Sequence, residues 1–393
     1  MKRRILGVFS GYSFLVEMRR GIMVAFFSIY LAEEMGASLT KVGVMWTIVY
    51  LVNALFQIVW GHVSDRVAKR KHFLILGEGA PGIAFFFIPE ITSFYTLAIF
   101  MAILQVFWSA SGPIWRALIA EHSVPGKRAG TMGKITTWGG IGSIIGIYIA
   151  SDLIEIYGYA YLFYFSGLCM LAAAGVAALA SEPKGLKPSS KKLISVNQMK
   201  TLANEQRHFT MYTVLTLLFF FTVYLTENFV NLYLRQLGAS VQQVGYIFMV
   251  RDGTATALMI PMGKLSDRLG RVKMLQISLG INALILLGFG LAPVWWWIFP
   301  IVVLEGIGWS GYFVSSFAVL SSLTPKEQRG TYMGFHSTVL MLSNVAPSVG
   351  GPVGDRLGLK MLFLSSFGLC GAVVFYFAGW LRENYNAIHE SEN

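Results

Sequence analysis

Twelve stretches of apolar residues follow one another along the chain, separated by short polar breaks. They lie at 5–32, 39–63, 72–89, 94–121, 129–152, 159–180, 208–235, 240–264, 272–292, 294–321, 330–354 and 360–381. A helix needs about 20 apolar residues to cross the hydrocarbon of a bilayer, and each stretch is close to that length. None alternates with a period of two, and all are too long for barrel strands. The pattern predicts an all-α membrane protein with twelve transmembrane helices. Its one sizeable polar segment, 181–207, separates six spans from six and carries six Lys/Arg against two acids. That composition suits a cytoplasmic basic linker between an N-terminal six-helix bundle, 1–180, and a C-terminal one, 208–393. A short surface helix is expected near 196–204 within it.

The two sets of six spans share a text. Gly61-His-Val-Ser-Asp65-Arg66-Val-Ala68-Lys69-Arg70-Lys71 returns 202 residues later as Gly263-Lys-Leu-Ser-Asp267-Arg268-Leu-Gly270-Arg271-Val-Lys273. Gly36-Ala-Ser38 and Val42-Gly43 return at the same offset as Gly238-Ala-Ser240 and Val244-Gly245. Further on, the offset becomes 200, where Pro125 and Gly130-Thr131 parallel Pro325 and Gly330-Thr331, with Arg128 and Arg329 just upstream. Each repeat joins apolar runs, so the chain reads as a duplicated membrane bundle, with parallel halves related by an axis along the membrane normal.

The repeated loop between spans 2 and 3 and between spans 8 and 9 resembles the signature loop of the major facilitator superfamily. The second copy fits the pattern well, and the first has Ala68 where the family prefers glycine. The resemblance covers essentially the whole chain. It implies two bundles around a central cavity lined by spans 1, 4, 7 and 10, and alternating access by rocking of the halves. It also implies a cytoplasmic gate at Gly61, Asp65, Arg66, Gly263, Asp267 and Arg268. Physics supports such a latch, because carboxylates at helix ends among bases can pair in one conformation and separate in another. Gly61 and Gly263 are expected to permit close backbone approach. Within the superfamily the chain looks most like drug-exporter groups, although Gln105 stands where proton-antiporting exporters commonly carry an arginine in span 4. The stretch Glu17-Met-Arg-Arg20-Gly21 is similar to a Glu-x-x-Arg-Gly motif of some glycolipid flippases.

Composition and charge sharpen this picture. The 393 residues are 55% hydrophobic and 13% charged, against roughly 25% charged in soluble proteins. The net charge of +11 would suit nucleic acid, but the bases gather on one side of the twelve-span arrangement. Lys2–Arg4, Arg66–Lys71, Lys127, Arg128, the linker, Arg268–Lys273, Lys326 and Arg329 face one way, while Glu33, Glu34, Glu90, Asp152 and Glu155 face the other. This is the positive-inside pattern; it orients a multi-pass protein of the cell membrane with both termini cytoplasmic and argues against a nucleic-acid partner. The apolar start is expected to be a retained helix rather than a cleaved leader, since Glu17, Arg19 and Arg20 interrupt it. Cys169 and Cys370 sit inside separate spans and read as packing residues. Trp295-Trp296-Trp297 suits a membrane interface.

Candidate chemistry lies in the charges at membrane depth, each costing roughly 2.5–3.5 kcal/mol at a helix centre on insertion scales. Glu17, Arg20, Glu227, Arg251, Asp252 and Glu305 are the proposed proton-coupling or substrate residues. Glu17 leads, since Arg20 lies one turn away on the same face. Arg251 is expected to point away from Asp252. Asn53, Gln57, Gln105, Arg116, Tyr224, Asn228, Asn231, Tyr312, His336 and Asn344 form polar stripes read as cavity lining. Arg19, off the Glu17 face, is expected to snorkel or pack, and Glu78 reads equally as packing against a neighbouring helix's base and as a transport residue. Arg116 is a candidate partner of Glu121, and His336 reads first as an interior histidine with a satisfied ring.

No metal-ligand spacing, phosphate loop or nucleophile elbow is present, so neither an enzyme, a metal site nor a cofactor is expected. The reading is a monomeric, proton-coupled secondary transporter exporting small amphipathic organic compounds. A lipid or glycolipid flippase, a solute importer and a non-transporting membrane sensor are the alternatives.

Overall fold

The computed structural model describes residues 3–67, 69–123, 128–182, 206–324 and 329–384. Most of the basic linker, its expected surface helix, Lys127, Lys326 and the side chain of Asp65 lie outside the described residues. Among those described there is helix and no strand. In the first half of the chain the helices are α1 (Arg3–Glu33), α2 (Leu39–Val67), α3 (Arg70–Ala84), α4 (Phe94–Trp108), α5 (Ser111–His122), α6 (Arg128–Tyr157) and α7 (Ala160–Ala178). The second half contains α8 (Arg207–Glu227), α9 (Val230–Gln236), α10 (Val241–Leu269), α11 (Arg271–Leu291), α12 (Ile298–Ser322), α13 (Arg329–Leu340), α14 (Ala346–Leu357) and α15 (Leu359–Glu383).

These helices follow the twelve expected spans, but three spans are broken. Span 4 breaks at Ser109–Ala110, between α4 and α5. Span 7 breaks at Asn228–Phe229, between α8 and α9, and span 11 tightens to a 3-10 turn over Met341–Val345. Backbone groups freed at a break inside a membrane need local partners. Ser109 supplies one with its hydroxyl, which donates to the Val106 carbonyl at 2.7 Å, and the Trp60 indole donates to the same oxygen at 2.6 Å. Span 3 ends in a 3-10 turn, Phe85–Glu90, containing Pro89. Helices also run past the apolar edges on the side of the repeated loop: α10 continues to Leu269.

Nine segments among the described residues are long and apolar enough to cross a membrane; spans 1, 8 and 11 are not among them. Length is not what span 1 and span 8 lack, because α1 has 31 residues and α10 has 29. Both carry several charges within the span.

The chain divides into two compact units. The first comprises Met1–Ala37, Ile48–Leu193 and Ala239–Met249; the second comprises Ser38–Thr47, Ile194–Gly238 and Val250–Asn393. The chain therefore passes from one unit to the other within α2 and again within α10.

In the first unit α1 packs most extensively on α6, and α3 on α7. Glycine makes the first contact possible. A Cβ on Gly142 would meet the Phe14 backbone, its carbonyl carbon at 2.8 Å, and one on Gly146 would meet Met18 at 2.6 Å. Phe9, Tyr12, Leu74, Ile114, Leu118 and Ala173 fill a core between α1, α3, α5 and α7. At the start of α3 the Glu182 carboxylate accepts from the backbone N–H of Arg70 and Lys71, at 3.2 and 2.7 Å. Near the other end of the unit Gln242 donates to Asp152 at 3.0 Å.

In the second unit α11 packs on α12 and α15, and α8 on α14 and α15. The α10–α11 turn is a single residue, Gly270, at φ +87°, a left-handed conformation open to glycine without strain. Asp355, past the apolar part of span 11, caps the start of α2. It accepts from the backbone N–H groups of Leu39 and Thr40, both at 2.9 Å, and from the Thr40 hydroxyl at 2.6 Å. A carboxylate at a helix N-terminus satisfies orphan donors and suits the helix dipole. Burial pushes the Asp355 carboxyl up, but these hydrogen bonds outweigh it and hold the pKa below the ordinary 3.8. A depressed carboxylate contributes stability above its unfolded pKa and loses it as pH falls through the folded one. The Leu39 and Thr40 amides are therefore expected to stay protected against hydrogen exchange at neutral pH and to lose protection only below about 3.8. Asp355→Asn should show weaker protection with no such acid step; an unchanged acid step in that variant would exclude Asp355 as its source.

Candidate functional site

Two groups of charged side chains are built into the helices, one in each unit. In the second unit, Arg251 of α10 is the hub. Its Nη1 lies 3.0 Å from Glu227 Oε1 on α8 and 3.8 Å from Glu305 Oε1 on α12, and its Nε lies 3.6 Å from Asp252 Oδ1. The Arg251 side chain is only 12% exposed. Glu227 is the last residue of α8, so the guanidinium also sits at a helix C-terminus, where positive charge is favourable. Glu305 Oε2 is buried without a hydrogen-bond partner. Three acids thus surround one base.

A cavity of about 30 Å³ opens beside the cluster, lined among others by Thr226, Glu227, Asn282, Phe289, Glu305 and Phe363. It has room for about two waters. One to two turns from the acids, Tyr224, Phe220, Trp309 and Tyr312 form an aromatic wall. Phe220 lies 5.4 Å from both tyrosine rings, and Trp309 stacks on Tyr312 at 6.1 Å.

In the first unit, Glu17 and Arg20 form the expected ion pair on a partly exposed face of α1. Gly139 of α6 lies against this face; a Cβ there would meet Ser13 Oγ and Glu17 Cγ, each at 2.8 Å. Behind it sits a buried group that the helical pattern did not single out. Arg19 does not snorkel: it is 1% exposed, and its guanidinium lies 3.2 Å from the centre of the Trp108 ring. Glu78 is 0% exposed and accepts from the Tyr12 hydroxyl at 3.2 Å through Oε1. It makes no ion pair within 4.0 Å among the described residues, yet Arg19 of α1 is near enough to act on it electrostatically, so it packs beside a neighbouring helix's base without bonding to it. The available signal was depth alone, since both residues interrupt apolar runs.

Other expectations resolve differently. Arg251 does not point away from Asp252; its Nε lies 3.6 Å from Asp252 Oδ1. Glu121 pairs with Arg70 at 2.6 Å, leaving Arg116 exposed. At the signature loop, Arg66, Asp267 and Arg268 are exposed and make no ion pair among the described residues. Gly61 and Gly263 do not bring backbones together: a Cβ would find only Pro113 at 4.0 Å and Val314 at 3.9 Å. The tight approaches are elsewhere, as at Gly43, where a Cβ would meet the Pro347 carbonyl carbon at 2.8 Å. Gln105, Asn228, Asn231, Tyr312 and His336 are buried, whereas Asn53, Gln57, Tyr224 and Asn344 are half-buried. His336 is satisfied by Thr213 Oγ1 at 3.0 Å and lies over Tyr212. Both cysteines are free and buried.

The Major Facilitator Superfamily profile matches residues 9–348. The chain belongs to this superfamily. It is accordingly a multi-pass membrane transporter rather than an enzyme, with the superfamily's twelve-helix fold. Among curated relatives, a maltose permease of Geobacillus stearothermophilus is 24% identical over 375 residues, covering 93% of each chain. A multidrug resistance protein MdtG of Proteus mirabilis is 26% identical over 349 residues, covering 85% of this chain and 83% of its own. The fold matches the crystal structure of the nucleoside transporter NupG with a TM-score of 0.78 at 15% identity, over 96% of this chain and 98% of that one.

Proposed function

We propose that this superfamily member is a proton-coupled exporter of small amphipathic organic compounds, working by alternating access in the cell membrane as a monomer with cytoplasmic termini. The observation that carries the reading is the Arg251 cluster. Three carboxylates share one guanidinium beside a cavity with room for water, and one buried oxygen of Glu305 has no partner. A proton is the smallest charge that relieves this excess, and its arrival or departure changes which acid Arg251 holds. The aromatic wall supplies an apolar, polarisable surface for an amphipathic substrate. Relatives named for multidrug resistance support export.

Solute import is the second reading, favoured by relatives named for maltose and nucleosides. Proteoliposomes with an imposed proton gradient, assayed with a fluorescent lipophilic dye, labelled maltose and a labelled nucleoside, separate the two. Glu305→Gln is expected to abolish uphill movement of the transported probe while retaining its exchange down its own gradient, because the amide imitates the protonated acid. Uphill, pH-dependent flux surviving in Glu305→Gln, Glu227→Gln and Glu17→Gln alike would remove proton coupling through these carboxylates.

A further inference from the structure

The cluster in the first unit contains more unmatched polarity than structural packing needs. Glu78 Oε2 and Arg19 Nε and Nη1 are buried without hydrogen-bond partners, and Ser111 lies beside the carboxylate. They come from α1, α3 and α5, and Gly77 brings α3 close enough for a Cβ there to meet Ser111 Oγ at 2.8 Å. A buried carboxylate and a buried guanidinium this near each other have an obvious remedy, a direct ion pair. The structure does not use it. Arg19 lies instead on the face of Trp108, a seat that suits a cation without supplying hydrogen-bond acceptors.

We propose that Glu78 is a second proton-binding group, which holds its proton while Arg19 rests on Trp108 and releases it when Arg19 swings over to pair with the carboxylate. The chemistry is a simple dissociation: the Glu78 O–H bond breaks, the proton passes to water, and Arg19 remains a cation throughout. In the protonated form Glu78 carries no charge left uncompensated while Arg19 is away, and the Tyr12 and Ser111 hydroxyls can still donate to its oxygens.

The two seats of Arg19 lie on different helices. Trp108 is the last residue of α4, at the break in span 4, whereas Glu78 belongs to α3. Proton occupancy therefore decides whether Arg19 of α1 is held by the broken end of α4 or by α3, which is a two-state element of the kind a switch requires. The groups facing Glu78 are Tyr12 and Arg19 from α1 and Ser111 from α5. From α7, which packs along α3, Cys169 lies near Arg19. Glu17 acts on Arg19 from one turn along α1. The use of this group in transport rests on the proton-coupled reading, but the binding of the proton does not.

Infrared difference spectra of the purified full-length protein, recorded at several pH values, test the proposal without any substrate. The wild type minus Glu78→Gln difference is expected to contain the C=O stretch of a protonated carboxyl, and Glu305→Gln is expected to keep that band. Trp108→Leu, which leaves Glu78 in place and removes the aromatic seat, is expected to weaken the band at neutral pH. Superimposable wild-type and Glu78→Gln spectra would overturn the proton site; should Glu78→Gln fail to fold, an undiminished band in Trp108→Leu would overturn the switch. Failure of uphill flux in the wild type would count against the transport reading and leave these spectra unchanged.

Discussion

Arg251→Gln is expected to stop transport and to lower the protein's stability by about 3 kcal/mol, the scale seen when one partner of a buried ion pair is removed. The substitution leaves Glu227, Asp252 and Glu305 without the base they share. Mutual repulsion and desolvation of the three acids then both act against the fold. Thermal unfolding in detergent measures the stability loss. Adding Glu227→Gln to Arg251→Gln should recover much of that loss, because it removes an acid along with the base, yet flux should remain absent. Full recovery of transport in the double variant would mean that the cluster serves packing alone. Equal stability of the wild type and Arg251→Gln would show that the ion pairs are too well hydrated to hold α8, α10 and α12 together.

Gly142→Ala is the second large effect. Even a single methyl there would strike the backbone of Phe14, whose carbonyl carbon would be 2.8 Å away. Backbone cannot rotate aside as a long side chain can, so α1 and α6 must separate. A cost of about 1–3 kcal/mol is expected from overpacking of this kind. Gly175→Ala in α7 is the matched control, since nothing lies within 4 Å of a Cβ at that position. Undiminished stability in Gly142→Ala would show that the gain in helix propensity outweighs the α1–α6 clash, and equal loss in both variants would show that the cost does not come from that approach.

The spans were legible because crossing a bilayer demands long apolar runs, and no other feature of this chain supplies them. Two of the breaks within spans carry a sequence signal, because Pro113 and Pro347 lack the N–H that the Ser109 and Ser343 carbonyls would accept from and crowd those carbonyls. The break at Asn228–Phe229 carries none. Charges at depth could be named from sequence, but their partners depend on helix rotation. Arg251 meets acids from three helices, one of them its own sequence neighbour, which helical spacing alone assigns to another face. Arg19 was harder still, because its partner is an uncharged ring on α4 and periodicity carries no sign of that. The signature loop was legible as a motif, yet its exposed Asp267 and Arg268 show that a repeated sequence states a capacity to pair rather than a pair already made.

The placement of charges also bears on how the chain is made. Spans leave the ribosome in order, and span 1 emerges with Glu17, Arg19 and Arg20 before Glu78 or Trp108 has been synthesised. Arg19 therefore has no seat until spans 3 and 4 arrive, and α1 gains its lasting place in the bilayer only with them. Span 8 meets a milder version of this problem. Glu227 is already in place when Arg251 appears, and Glu305 follows two spans later. Truncated chains released after span 2 should therefore hold α1 loosely and be extracted by alkaline carbonate, whereas chains extending through span 5 should resist it.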